Sequence, residues 1–186
     1  MREEWELKLQ EEFEFMWQNN VDNEKELYRR WGCECSAGWY DIIRDCCKQI
    51  EERYAQAGME IDFEPAQIKE KWGTLRFYYG YKDVSCGIAA MDFIGSGISI
   101  RLDPDRDSQD TDSTEDSNQR RLREDIAKIV RNAEERSKTT CEWCGDNKTA
   151  SLRTNLGGRI VTLCDSCTQK YIEKKNQRRR VLEENA

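Results

Sequence analysis

Two Cys-x-x-Cys pairs constrain this chain more than any other feature. Cys141-Glu-Trp-Cys144-Gly145 and Cys164-Asp-Ser-Cys167 lie nineteen residues apart. Four thiolates at this separation are the ligand set that closes a tetrahedral structural zinc site, with no position left open for water or substrate. A redox Cys-x-x-Cys needs one pair only, so redox chemistry and plain core cysteines are the lesser readings.

The segments around the pairs specify the kind of module. Ser151-Leu-Arg-Thr154 and Arg159-Ile-Val-Thr-Leu-Cys164 read as short strands joined by the turn Asn155-Leu-Gly157-Gly158. Cys144-Gly145 reads as a tight knuckle whose glycine lets the backbone amides turn toward sulfur. Asp165 and Ser166 are helix-starting residues, and Thr168 to Glu184 runs on without Gly or Pro. Cys167 then falls in the first helical turn, where the partial positive charge favours a thiolate. Knuckle, hairpin and helix, in that order, make a treble-clef zinc finger. The expected cofactor is one structural Zn²⁺ on Cys141, Cys144, Cys164 and Cys167.

Charge is distributed unevenly. Residues 1–102 carry 13 basic and 20 acidic side chains, residues 103–117 carry 1 and 7, and residues 118–186 carry 16 and 10. The body is thus acidic and the carboxy-terminal lobe basic. Residues 103–117 hold no apolar residue beyond Pro104, cannot bury enough surface to offset ordering entropy, and are expected to form a mobile acidic loop. Met1-Arg-Glu-Glu opens with charge rather than with a signal peptide, and no apolar run approaches the roughly 20 residues of a membrane span. Nine cysteines, an odd number, without an export signal point to a reducing cytoplasm rather than a disulfide framework.

Along the chain, Trp5, Leu9, Phe13, Met16 and Trp17 form one stripe of a helix expected to end near Asn19-Asn20, with Leu7 and Phe15 off the stripe. A short helix capped by Asp22 follows. Trp39, Ile42, Ile43, Cys46, Cys47, Ile50 and Tyr54 then mark the strongest amphipathic helix of this half. Cys33, Cys35, Cys46 and Cys47 are a second candidate metal set, although two of them sit on that apolar stripe, where cysteine acts as a small hydrophobe. Met59, Ile61 and Phe63 alternate, as do Ala66 with Ile68 and Leu75, Phe77 with Tyr79, which predicts strands bent near Pro65. Ile98, Ile100 and Leu102 suggest an added strand, and Leu122, Ile126, Ile129, Val130 and Ala133 a helix leading to the knuckle.

The expected architecture is α+β: helices packed on a small antiparallel sheet, with a carboxy-terminal treble-clef-like four-cysteine zinc lobe. Residues 1–80 make the α/β body and 81–120 an insertion. Residues 121–186 make the last body helix, the zinc lobe and a basic terminal helix, all packed on the body.

Several blocks carry a resemblance. Gly38-Trp39-Tyr40-Asp-Ile-Ile43, Ile68-Lys-Glu-Lys-Trp72-Gly-Thr-Leu-Arg76-Phe-Tyr78, Ala133-Glu134 with Ser137, Cys141-Glu-x-Cys144-Gly, Gly158-Arg-Ile and Leu163-Cys164 resemble a family of small bacterial and phage proteins to which no reaction is attached. The resemblance implies a phage or prophage product that binds a protein and inhibits or redirects a host defence factor. Against the family pattern this chain carries an insertion of about 40 residues, Gly80 to Asn118.

The chain has no histidine. That removes His-dependent triads, histidine-based nucleases and metalloprotease helices. Asp62, Glu64, Gln67 and Lys69 faintly echo the metal site of restriction-like nucleases. The leading expectation is therefore a non-enzymatic protein-binding module. The alternative is nucleic-acid binding through Lys170, Lys174, Lys175, Arg178, Arg179 and Arg180, six cations in eleven residues.

Overall fold

The apolar stripe after Trp39 folds as its spacing dictates. Ile42, Ile43, Cys46, Cys47, Ile50 and Tyr54 are all buried on one face of the helix Tyr40–Ala57. Gly58, at φ 65°, closes that helix in the left-handed region and donates its N–H to the Ala55 and Tyr54 carbonyls. The structure, a computed structural model, describes residues 1, 3–17, 27–82, 92–95, 98–101 and 117–184, with the strand path alone for 92–95 and 98–101.

In order the elements are α1 (Glu3–Glu12), α2 (Leu27–Trp31), β1 (Cys33–Glu34), α3 (Tyr40–Ala57), β2 (Phe63–Lys71), β3 (Thr74–Tyr81), β4 (Asp92–Gly95), β5 (Ile98–Arg101), α4 (Ser117–Ser137), β6 (Ser151–Arg153), β7 (Val161–Leu163) and α5 (Asp165–Glu184). The protein is α+β. Among the described residues, no helix is long and apolar enough to cross a membrane.

The body sheet runs β1-β2-β3 and is mixed rather than purely antiparallel. β2 and β3 pair antiparallel, whereas β1 joins β2 parallel through Cys33↔Ile68 and Glu34↔Lys69. A two-residue strand has no period to read, so Cys33-Glu34 carries no strand signal in the sequence. Pro65 lies inside β2, and the bend expected there is present as a register shift between Pro65 and Gln67. Met59 and Ile61 precede β2 and are not paired. β5 is the strand expected at Ile98 and Ile100, and it pairs antiparallel with β4, which was not expected; Leu102 lies outside the described residues. α4 starts at Ser117, inside the segment expected to be insertion; the rest of the acidic stretch and Asp22 lie outside the described residues.

The first helix is shorter than its stripe predicts. α1 stops at Glu12, Phe13 is extended, and Glu14–Met16 form a single 3-10 turn. The break drives Phe13 and Met16 into the core beside Leu9 and turns Trp17 outward, 59% exposed. Phe15 packs edge-on to Phe63 at 5.5 Å.

α3 and α4 pack on each other and on the inner sheet face of Phe63, Ile68, Leu75, Phe77 and Tyr79. Side chains buried this fully contribute about 1.5–3 kcal/mol each. α4 also covers the open edge of β3: the Ser137 hydroxyl accepts the Leu75 N–H at 2.9 Å and the Glu134 carboxylate accepts the Phe77 N–H at 2.9 Å. These bonds complete alternate amides of an edge strand that is otherwise open to pairing. Ser137→Ala is expected to leave the buried Leu75 N–H unsatisfied and to lower stability by about 1–3 kcal/mol, measured by urea unfolding. Faster hydrogen exchange at that amide would accompany it.

Candidate metal centre

Four elements deliver the four thiols. The turn after α4 places Cys141, the knuckle places Cys144, the end of β7 places Cys164 and the first turn of α5 places Cys167. The knuckle closes with the Gly145 N–H on the Cys141 carbonyl at 2.9 Å and the Cys141 N–H on the Asp146 carbonyl at 2.8 Å, with Gly145 at φ 79°. The β6–β7 hairpin turns through Gly157 and Gly158, at φ 76° and 90°. Its register pairs Ser151 with Leu163 and Arg153 with Val161. At the start of α5, Asp165 takes the Arg153 guanidinium at 2.6 Å, and the Thr168 N–H and hydroxyl both donate to the Cys164 carbonyl at 2.9 Å.

The four sulfurs lie within 4.8 Å of one another, and Cys144 and Cys164 approach to 3.6 Å. A tetrahedron with metal–sulfur bonds of about 2.3 Å has edges of about 3.8 Å, so the geometry fits a tetrathiolate ion. Cys141, Cys164 and Cys167 are buried and Cys144 is exposed. Burial pushes the Cys164 thiol up, but hydrogen bonds from Ser166, from the Cys167 N–H and from the neighbouring thiols outweigh it, bringing Cys164 down to about 6. Burial and then the thiol neighbours hold Cys144 and Cys167 above the ordinary thiol value. The neighbouring thiols thus support one thiolate and disfavour further ones; a divalent cation would offset that penalty and release the remaining protons.

The lobe has its own small core of Leu156, Val161 and Leu163 with three of the ligands, flanked by Trp143 and Tyr171. It is fastened to the body at two glycines. A Cβ on Gly38 would meet the Cys141 carbonyl oxygen at 2.3 Å and the Glu142 carbonyl oxygen at 2.5 Å, and one on Gly73 would meet the Leu152 side chain at 2.4 Å. The Gly38 N–H donates to the Glu142 carbonyl at 2.8 Å, the Trp39 indole to Thr140 at 2.8 Å, and the buried Thr162 hydroxyl to the Gly73 carbonyl at 2.6 Å. Glu142, nearly fully buried, accepts the Ser36 hydroxyl at 2.9 Å, and burial raises its carboxyl above the usual range.

Ser36, Gly38, Gly73, Glu142 and Thr162 carry this junction without standing out as site residues in the sequence. The available signal was the position of Gly38, Gly73 and Glu142 inside the resemblance blocks. Gly73 also occupies the second place of the two-residue β2–β3 turn, after Trp72 at φ 53°, a conformation that bulky residues rarely adopt.

The remaining candidate residues do not assemble. Among the described residues, the four lobe cysteines are the one group of three or more potential ligands within metal-binding reach. Cys33, Cys35, Cys46 and Cys47 are buried in the body core as small hydrophobes, with burial raising every one of their thiols. Asp62 accepts the Tyr54 hydroxyl at 2.5 Å, Glu64 faces Arg29 at 3.4 Å, and Lys69 donates to Gln67 at 2.6 Å, so the nuclease-like residues have separate partners.

Of the six terminal cations, Lys175 folds over Gly157 to reach the Leu156 carbonyl at 3.3 Å, Lys174 lies over the Trp143 ring and Arg179 pairs with Glu183. Lys170, Arg178 and Arg180 stand exposed on α5.

Fold and site together define an α+β protein with a treble-clef-like, four-cysteine metal lobe locked onto its body. Comparison with protein-family models, curated proteins and solved structures finds no match to the chain.

Proposed function

We propose that the protein is a zinc-stabilised protein-recognition module, with the metal fixing shape rather than performing chemistry. Zinc is the ion of choice because four thiolates in tetrahedral array suit it and leave no open position. The observation that carries the recognition reading is a shallow groove of about 530 Å³ between Leu7 and Trp17. Both residues are more than half exposed, and Glu11, Glu12, Glu14 and Glu51 rim them. Exposed apolar anchors within a charged rim are the anatomy of a protein interface. The resemblance to bacterial and phage proteins directs the search to a host factor in a bacterial lysate.

Affinity capture from such a lysate is expected to return one stoichiometric protein. Trp17→Ala is expected to reduce its retention by 30-fold or more, the scale of about 2 kcal/mol for a truncated aromatic anchor. Equal retention by the variant would sink this reading.

A second reading has its own observation. Every residue from 172 to 183 of α5 is exposed, and this stretch carries Lys174, Lys175, Arg178, Arg179 and Arg180. A projecting basic helix suits nucleic-acid phosphates. On this reading a mobility shift appears at low salt, weakens by orders of magnitude between about 50 and 200 mM salt, and disappears when Arg178, Arg179 and Arg180 are changed to Glu.

A further inference from the structure

The groove on the body and the far end of α5 are chemical complements. In the groove, Leu7 and Trp17 are 51% and 59% exposed, and of the four glutamates around them Glu12 is bound by Arg44 at 2.6 Å. No cation among the described residues pairs with Glu11, Glu14 or Glu51. On α5, Leu182 is 71% exposed, more than any other large apolar side chain described, and Val181 beside it is 50% exposed. Arg178 and Arg179 precede Leu182 by four and three residues, so the two guanidiniums and the leucine share one helix face. One surface offers two apolar residues beside anions; the other offers two apolar residues that follow three arginines, of which Arg179 would exchange its Glu183 partner at 3.1 Å for the groove carboxylates.

We infer that α5 of one copy of this chain docks in the Leu7–Trp17 groove of a second copy. Leu182 fills the space between Leu7 and Trp17, and Arg178 and Arg179 face Glu11, Glu14 and Glu51. The inference rests on the groove being a protein-recognition surface, and it names the occupant. Three features favour this chain's own helix. Its charge has the required sign: by formal side-chain charge the first 102 residues carry −7 and the last 69 carry +6, about 2 units less once zinc sits on four thiolates, which orients copies tail to body before contact. Its anchors are already exposed at the end of a helix whose start is pinned by Cys164 and Cys167, so little conformational freedom is lost on docking. Docking also brings cations to Glu11, Glu14 and Glu51, which have no cation partner among the described residues.

Groove and helix end are different surfaces, so the contact is heterologous, and each copy can offer its helix to a further one. Three helical turns against a shallow groove bury less than the roughly 1,200 Å² of a standard interface, which places the association in the weak, concentration-dependent class.

Sedimentation velocity on the zinc-loaded full chain, treated with nuclease, tests the proposal. The weight-average mass is expected to rise above one chain at roughly 10 μM and beyond at low salt, and to fall back when salt shortens the screening length to about 3 Å at 1 M. Arg178→Glu with Arg179→Glu abolishes the rise, and so does Glu14→Lys with Glu51→Lys. Mixing the two charge-reversed proteins restores association between unlike chains through the unaltered helix of one and the unaltered groove of the other, and a chain carrying all four reversals, whose helix and groove are complementary again, associates with itself, which a merely structural defect at either surface would not allow.

A wild-type chain that stays monomeric throughout, or a tail-reversed chain that still associates, overturns the docking; so does association that vanishes with nuclease. If the chain is monomeric while Trp17→Ala still loses a lysate protein, self-docking fails and protein recognition stands. If neither is seen, both fail.

Discussion

Cys144→Ser will abolish metal binding and unfold the carboxy-terminal lobe while leaving the body helical. Cys144 is the one exposed ligand, so the substitution removes a sulfur without opening a cavity in a core. Whatever collapses therefore reports on the metal. The lobe core holds Leu156, Val161 and Leu163, and the other three buried members are themselves ligands; so few apolar side chains cannot hold a fold of this size alone. Structural zinc supplies about 10–16 kcal/mol in small finger peptides, as much as the whole stability of a typical domain at about 5–15 kcal/mol. Zinc per chain should fall from one to near zero, the near-ultraviolet signal of Trp143 should vanish, and α3 and α4, which belong to the separate body core, should keep most of the helical signal. A chelator should reproduce the effect in the unmodified chain. A Cys144→Ser protein that retained one zinc, or melted as the parent does, would contradict a tetrathiolate clamp.

Gly38→Ala is the second large effect, and it acts on the junction rather than the metal. Its new methyl would stand 2.3 Å from the Cys141 carbonyl oxygen and 2.7 Å from the Glu142 carbonyl carbon, both backbone atoms that no rotamer change can move aside. The knuckle must retreat, and with it the bonds from the Gly38 N–H to Glu142 and from the Trp39 indole to Thr140. Overpacking of about 1–3 kcal/mol plus two lost hydrogen bonds of about 1 kcal/mol each gives a loss of about 3–5 kcal/mol. The expected signature is uncoupling: one cooperative melt splits into a zinc-dependent and a zinc-independent transition, while the protein still carries one zinc. A single unshifted transition would show that the lobe and body are not joined at Gly38. Gly58→Ala is a useful control, because nothing lies within 4 Å of its Cβ position and only the left-handed backbone is strained.

The parts of the fold with a period were readable from the chain. Ile42 to Tyr54 and Leu122 to Ala133 repeat at helical spacing, and Leu75, Phe77 and Tyr79 alternate, because each element buries one face and its own sequence must mark that face. The four thiol ligands were legible for a related reason: a metal demands fixed residue types at short spacing, and both pairs meet that demand within three residues.

What the sequence left hidden was everything that depends on a partner element. The break at Phe13 exists because Phe63 and the core draw Phe13, Phe15 and Met16 inward, and this turns Trp17 from a stripe residue into a groove wall. β1 exists because β2 has an edge to offer Cys33 and Glu34. The fates of Cys33, Cys35, Cys46 and Cys47 were set by burial, which no spacing reveals. The Lys-Glu-Lys-aromatic-Gly block likewise acquires a physical reason only in three dimensions, where Gly73 is the point at which the Thr162 hydroxyl reaches the body. Local periodicity and ligand spacing are properties of neighbours along the chain, and this chain states them outright. Docking of lobe on body, and exposure of the surfaces proposed to bind, are properties of neighbours in space, and only the tertiary structure could decide them.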